Sequence, residues 1–214
     1  MLRHWNRHSN LFPEDNVALA VQVSRWRVVT VLKQRIITAL ILAPLALWGI
    51  WSLASDTLAM ILGMIFTLGA WEWSRLVGLE SHLGRIGYSA LFPVGFYFLY
   101  PLLQQGNWPL MVLVIALMWW MMALMSVITY PRSSQLWKSS SMGRAIAGLL
   151  VLIPSWAALV LLHSEFGPGY FILLMFLIWG ADTGAYFAGR AFGKRKLAPQ
   201  VSPGKSWEGV IGGL

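Results

Sequence analysis

The sequence contains no cysteine among its 214 residues. Disulfides, cysteine-ligated zinc and thiol catalysis are therefore excluded. Charged residues are also scarce, at 11% of the chain, whereas soluble domains average about 25%. Because 57% of the residues are hydrophobic, the composition excludes an ordinary soluble domain and indicates an integral membrane protein.

Six apolar windows are long enough to cross a bilayer core of about 30 Å as α-helices. They cover residues 36–54, 57–72, 86–103, 109–130, 145–162 and 170–188. We therefore predict an all-α, polytopic membrane protein with about six transmembrane helices and a basic cytoplasmic loop after the sixth. Residues 1–31 show no sustained pattern, so we expect an N-terminal extension that is disordered or not translated, followed by a membrane domain over residues 32–214.

Lysine and arginine are absent from every second loop between these windows. All sixteen lie in residues 1–35, 73–85, 131–144 and 189–208. By the positive-inside rule, this distribution predicts that the N-terminus and these segments are cytoplasmic. Topology and contact with anionic lipids thus explain the net charge of +8, and a nucleic-acid partner is not expected.

A single acid, Asp182, lies inside the sixth window. A carboxylate in lipid costs a few kcal/mol, which makes it a candidate functional residue. The alternative is a buried acid that only hydrogen-bonds another helix. If the helix ends near Ala188, Asp182 lies about 9 Å from its cytoplasmic end, at about 1.5 Å per residue.

The polar stretch that follows, GKRKLAPQVSPGKSWEG over residues 193–209, has the groups that a phosphate-rich substrate needs. Its cations are Lys194, Arg195, Lys196 and Lys205, and Gly193, Gly204 and Gly209 allow backbone N–H groups to approach oxygen atoms closely. Taken alone, such a loop is also typical of a membrane-surface patch. A P-loop is excluded, because Pro199 stands where that motif requires glycine.

At this point a family resemblance becomes specific. The block WGADTGAYFAGRAFGKRKLAPQVSPGKSWEGVIGG, residues 179–213, resembles the central motif region of bacterial phosphatidate cytidylyltransferases. LKQRIITALILAPLAL at 32–47 and AWEW at 70–73 resemble the starts of that family's first two helices. The resemblance implies an enzyme of the bacterial inner membrane that converts CTP and phosphatidate to CDP-diacylglycerol and pyrophosphate with Mg²⁺.

The same resemblance implies roles for individual residues. Lys205 is expected to act on a substrate phosphate, and Asp182 is expected to be catalytic and to bind the metal directly or through a water. The expected substrate-binding residues are Ser202, Pro203, Gly204, Ser206, Glu208, Gly209, Lys194 and Lys196. A homodimer is compatible with the sequence, which does not determine the oligomeric state.

The sequence also departs from the family pattern. Family members continue through further helices that carry acidic and Lys-Arg motifs, and this sequence contains none of them. We therefore expect an incomplete form of the enzyme, inactive by itself, whose small residues Gly180, Gly184 and Ala188, with the glycines of 209–213, lack their packing partners. The alternative is a non-catalytic membrane protein that retains the fold for assembly or lipid binding; a small-solute transporter is less favoured, since the polar residues cluster at one face.

Overall fold

The computed structural model describes residues 37–131, 134 and 140–214. The predicted extension, residues 1–31, lies outside this range. The chain divides into two units, Met1–Trp48 and Gly49–Leu214. The described part of the first unit is helical and belongs to helix α1, Ile37–Ser52.

The second unit consists of long helices followed by a small β-hairpin. After the end of α1 come α2 (Ser55–Val77), α3 (His82–Leu102), α4 (Trp108–Ile128), α5 (Ser141–Phe166) and α6 (Pro168–Phe192). Strands β1 (Lys196–Ala198) and β2 (Ser202–Ser206) and a short helix α7 (Trp207–Gly213) complete the described chain. Each apolar window matches one helix, so the predicted all-α polytopic class is confirmed, whereas the two strands are not predicted by the sequence pattern.

Four of the described helices, α2, α4, α5 and α6, are long and apolar enough to cross a membrane. Helix α1 is apolar but shorter. Helix α3 has 21 residues, enough for a span, but its glycines, tyrosines and prolines lower its mean hydropathy. For α1 and α3 a transmembrane position therefore stays a prediction.

Local sequence signals fix several helix ends. Ser81 and Ser140 cap α3 and α5, since their side chains accept hydrogen bonds from the backbone N–H groups of Gly84 and Gly143, at 3.1 and 2.9 Å. Such caps satisfy N–H groups that have no partner inside the helix. Helix α2 ends at Gly78, which adopts a left-handed conformation with φ of 91° that glycine reaches without strain.

The core of the second unit lies between α2, α3 and α5. Phe92 of α3 is completely buried, and Phe96 stacks on Trp156 of α5 with ring centroids 4.5 Å apart. The Trp156 indole donates a hydrogen bond to the carbonyl of Ala59 in α2 at 3.0 Å, which satisfies its polar atom inside the core. Helices α4 and α6 each pack against α5, so both expose broad apolar faces, as expected of helices in lipid.

Two arginines of the predicted cytoplasmic segments hold helix ends in place. Arg85 donates to the Ser74 hydroxyl at 2.9 Å, and its guanidinium lies 4.0 Å from the ring centroid of Trp71. Arg144 donates to the carbonyl of Val77, at the end of α2, at 3.0 Å. These side chains therefore stabilise the packing of the helix ends.

A buried histidine joins the opposite helix ends. His163 of α5 donates through Nε2 to the carbonyl of Ile50 at 2.9 Å, because a carbonyl can only accept. Its Nδ1 forms a hydrogen bond with the Ser55 hydroxyl at 2.9 Å. The imidazole thus ties together the end of α1, the start of α2 and the end of α5.

Candidate active site

The basic loop predicted after the sixth helix is an ordered β-hairpin. Helix α6 ends when the N–H of Gly193 bonds the carbonyl of Gly189 at 3.1 Å. Strands β1 and β2 then pair antiparallel, with Lys196 opposite Ser206 and Ala198 opposite Ser202. A turn closed by the N–H of Val201 and the carbonyl of Ala198, at 3.1 Å, connects them.

Glu208 closes the base of this hairpin. Its carboxylate accepts hydrogen bonds from the backbone N–H groups of Lys194 and Arg195, at 3.1 and 3.2 Å. The backbone of α7 adds a third link, because the N–H of Trp207 donates to the carbonyl of Arg195 at 2.9 Å. Glu208 therefore fixes the start of β1 to the start of α7.

These contacts lower the pKa of Glu208. The largest cause is the hydrogen bond from its own backbone N–H, followed by partial desolvation in the opposite sense and then by the N–H groups of Arg195 and Lys194 and the charge of Arg195. Hydrogen bonds to a carboxylate favour its charged form. At neutral pH, Glu208 is thus an anion whose oxygens are already occupied by backbone donors.

Ser206 holds the hairpin against the end of α6. It is 6% exposed, and its hydroxyl accepts a hydrogen bond from the N–H of Gly209 at 3.2 Å, which caps α7. The same hydroxyl would lie 3.4 Å from a methyl group placed on Gly189 and 2.9 Å from one placed on Gly193. The contacts of Ser206 in the structure are therefore structural, and its predicted substrate contact remains a prediction.

The cations of the hairpin are exposed. Successive side chains of a strand point to opposite faces, so Lys205 is exposed while its neighbour Ser206 is buried. Lys194, Arg195 and Lys196 are also exposed. Pro203 and Gly204 at the middle of β2 are exposed, and no atom lies within 4 Å of the space that a side chain on Gly204 would take. The exposed hairpin therefore offers positive charge and open backbone to an anion, and Ser202 is half-buried.

Helix α7 folds back along α6 through small residues. Gly209 lies against Gly189, and Gly213 lies against Ala181 and Ala185, so the two helices run antiparallel. A methyl group on Gly213 would lie 2.9 Å from the carbonyl oxygen of Ala181, and one on Gly184 would overlap the carbonyl oxygen of Gly212. Such close approach of two backbones requires glycine.

This packing corrects one expectation. The sequence predicts that the small residues of α6 and the glycines of 209–213 lack partners, but they pack against each other. In the described chain, α7 contacts Ala181, Gly184, Ala185 and Ala188 of α6. A methyl group placed on Gly180 would have no atom within 4 Å, because α7 ends opposite Ala181.

Asp182 lies away from the hairpin, on the exposed side of α6. The helix continues four residues beyond Ala188 to Phe192, so Asp182 lies about 15 Å from its end along the axis, rather than about 9 Å. Asp182 and Gly184 are separated by about 200° around the helix, at about 100° per residue. The structure therefore brings Ser206, Glu208 and Gly209 together at the base of the hairpin and does not bring Asp182 to Lys205.

The described residues also do not form a metal site by themselves. No group of three or more His, Asp or Glu side chains lies close enough together in this part of the chain. Glu208 is engaged with backbone N–H groups, and Glu72 lies 3.5 Å from Arg75. Asp182, the predicted metal ligand, forms no ion pair among the described residues.

Sequence reasoning missed two residues near the end of α6. Gly189 faces Ser206, and Tyr186 accepts a hydrogen bond from Arg190 Nη1 at 2.8 Å. The spacing of four between Tyr186 and Arg190 places them on one helix face and could have indicated the pair. For Gly189 the sequence carried no signal, since its partner lies seventeen positions away across an unpredicted hairpin.

Comparison with known proteins provides evidence about function that is independent of the site geometry. The model of the cytidylyltransferase family matches residues 33–214. The phosphatidate cytidylyltransferase of Pseudomonas aeruginosa is 52% identical over 184 residues, which cover 86% of this chain and 66% of that protein. The phosphatidate cytidylyltransferase of Haemophilus influenzae is 40% identical over 200 residues, with coverages of 86% and 69%. That of Brucella suis is 32% identical over 190 residues, with coverages of 85% and 63%. The chain thus spans about two thirds of the length of these curated relatives.

Proposed function

Because the chain belongs to the cytidylyltransferase family, we propose that it acts in phosphatidate cytidylyl transfer, in which CTP and phosphatidate give CDP-diacylglycerol and pyrophosphate. The observation that carries the proposal is a basic, exposed hairpin held at the end of a membrane helix. It occurs in a chain that is 52% identical to a phosphatidate cytidylyltransferase. Such a site lies where a soluble nucleotide and a membrane lipid can meet.

The proposed reaction joins two anions. An oxygen of the phosphatidate phosphate attacks the α-phosphorus of CTP, the bond from that phosphorus to the β-phosphate oxygen breaks, and pyrophosphate leaves. Positive groups that are fixed beforehand lower the barrier of such a step by stabilising the developing charge. Lys205 supplies such a group from β2, where strand pairing fixes its backbone.

The other hairpin residues divide into two roles in this proposal. Lys194 and Lys196 gather the triphosphate of CTP, Ser202 offers a hydroxyl, and Pro203 and Gly204 leave the backbone open to phosphate oxygens. Ser206, Glu208 and Gly209 contribute to substrate binding indirectly, since their contacts hold the hairpin on α6. These three are positioning residues.

We place the hairpin and the N-terminus on the cytoplasmic side of the bacterial inner membrane. The support is the distribution of the sixteen Lys and Arg residues, together with the bacterial sources of the relatives. CTP is then available on that side. Contact of the basic segments with anionic lipids fits this placement, and a homodimer remains compatible with it.

Mg²⁺ stays part of the proposal as a predicted cofactor. Asp182 would contribute one carboxylate, and Mg²⁺ commonly binds through one or two carboxylates together with substrate phosphates. Because the described residues form no cluster of three such ligands, no step of the reaction is assigned to the ion.

Transfer of label from CTP to lipid tests the proposal. Membranes containing this chain, together with the remaining C-terminal third of the Pseudomonas aeruginosa relative, should convert labelled CTP and phosphatidate to labelled lipid. Lys205→Ala should lower the rate by about 10²-fold or more, as expected when one charge-stabilising group is lost. A matched control is Arg75→Gln, which removes an exposed cation at the end of α2 and should leave the rate unchanged.

The alternative, a non-catalytic membrane protein, predicts a different result. In that case no lipid is labelled, or labelling is unaffected by Lys205→Ala because it comes from another enzyme in the membranes. Either result would refute the proposed role of the hairpin.

A further inference from the structure

A second polar feature of α6 lies outside the hairpin. Asp182, Tyr186 and Arg190 follow each other at intervals of four residues and therefore line one face of the helix. All three are exposed. Helix α7 packs on Gly184 and Ala188, about 200° away around the helix axis. Only 6% of the apolar span of α6 is buried, against 33% for α5, so this polar face is not covered by the described residues.

The guanidinium of Arg190 is oriented so that it can bind an anion. It lies in the last turn of α6, and its Nη1 donates to the Tyr186 hydroxyl at 2.8 Å. A guanidinium has five N–H donors, so this bond orients the group and leaves a planar pair of donors available. Within the described part of the chain, Arg190 forms no ion pair with a carboxylate, the one such pair there being Arg75 with Glu72.

The surroundings of this guanidinium suit the level of lipid headgroups. Tyr186, its hydrogen-bond partner, is 57% exposed, and tyrosine is enriched with tryptophan at membrane interfaces. Phe187 and Phe192, at 64% and 69% exposed, offer apolar surface nearby in the sequence. Arg190 also adjoins Gly189, which lies against Ser206, the residue after Lys205. A phosphate on Arg190 and a phosphate on the hairpin would therefore be neighbours at the end of α6.

We propose that Arg190, oriented by Tyr186, binds the phosphomonoester of phosphatidate from the bilayer side, while the hairpin binds CTP from the water side. This inference rests on the proposed function for its choice of lipid. A guanidinium pairs with phosphate oxygens through two parallel hydrogen bonds, and a terminal phosphomonoester exposes more oxygens and more charge than the phosphodiester of other lipids. Tyr186 is a positioning residue in this subsite.

Direct binding to the purified 214-residue chain tests the subsite without requiring turnover. The affinities for short-chain phosphatidate, short-chain phosphatidylglycerol, inorganic phosphate and CTP are measured by calorimetry in detergent. Arg190→Gln should weaken phosphatidate binding at least tenfold, Tyr186→Phe should weaken it by about three- to tenfold, and Arg190→Lys should fall between them and the native chain. None of these variants should change the affinity for CTP, and the control Arg75→Gln should change neither.

Each outcome is decisive for the subsite. Unchanged phosphatidate affinity in Arg190→Gln, or equal losses for phosphatidate and CTP, would overturn the proposal, because a topological anchor or a folding defect would then explain Arg190. If inorganic phosphate binds as tightly as phosphatidate with the same dependence on Arg190, the site takes free phosphate and the lipid assignment is wrong. A native chain that binds phosphatidate through Arg190 but does not bind CTP would leave the subsite standing and refute the proposed function instead.

Discussion

A methyl group on Gly184 should undock α7 from α6. The carbonyl oxygen of Gly212 occupies the place of that methyl group, and near the end of α7 a methyl on Gly213 would lie 2.9 Å from the carbonyl oxygen of Ala181. Because backbone lines both sides of the contact, no flexible side chain can move aside. Overpacking of this kind costs about 1–3 kcal/mol, which corresponds to about a 5- to 150-fold rise in the undocked population.

Amide hydrogen exchange of residues 207–213 measures this population. A helix of seven residues is not stable alone, so undocked α7 loses its hydrogen bonds and exchanges. Gly184→Ala should accelerate exchange of α7 by about 5- to 150-fold. The control Gly180→Ala gives α6 the same gain in helix propensity, about 1 kcal/mol, without a contact within 4 Å, and should leave α7 unchanged. Equal exchange in the two variants would show that the backbones are not in close contact.

Three further predictions concern the hairpin, the topology and the core. The pKa of Glu208 lies below its ordinary 4.5, so its stabilisation of the hairpin is complete above pH 4.5 and is lost as pH falls through the lowered value. Hydrogen exchange of the two amides that Glu208 binds, corrected for intrinsic pH dependence, should rise only in that acidic range. Glu208→Gln should abolish that transition. Alkaline phosphatase fused at Asn107 should be active and fused at Gly193 inactive, and the reverse pattern would invert the predicted topology. Phe92→Ala should lower the free energy of unfolding in mixed micelles by about 3–5 kcal/mol, whereas Phe98→Ala, at a position 65% exposed, should have a much smaller effect; similar losses would argue against the described core.

The long helices could be predicted because the length and hydropathy of an apolar segment determine whether it can form a membrane-spanning helix. The windows 145–162 and 170–188 lie inside α5 (Ser141–Phe166) and α6 (Pro168–Phe192), and the errors are confined to the ends. At the end of α6 the helix runs through Gly189 and Arg190, which the sequence pattern assigns to the polar loop. A glycine in the last turns does not stop a helix when its missing side chain makes room for another element.

The hairpin could not be predicted from local patterns. Its strands have three and five residues, and one of them contains Pro203 and Gly204, which are unfavourable in strands. What holds it is Glu208, whose partners Lys194 and Arg195 precede it by fourteen and thirteen positions. Spacing along the chain does not reveal such a contact, so the sequence predicts candidate residues for the site but not their arrangement.

The same limit explains why the sequence analysis did not find the packing partner of the small residues in α6. Gly184 and Ala188 correctly indicate a close helix contact, but periodicity identifies the packing face of a helix and not the element that packs on it. The element that packs on this face is α7, at Gly209–Gly213, because the hairpin between α6 and α7 reverses the direction of the chain.

Cytidylyl transfer is tested most directly by following two labels of CTP in one reaction. In membranes that contain the chain and the C-terminal third of its Pseudomonas aeruginosa relative, CTP labelled at the α-phosphorus should transfer its label to phosphatidate. CTP labelled at the γ-phosphorus should release its label as water-soluble pyrophosphate, and Lys205→Ala should reduce both signals together. Transfer of the γ-label to lipid, or α-labelling of lipid that persists unchanged in Lys205→Ala, would contradict the proposed reaction at this hairpin.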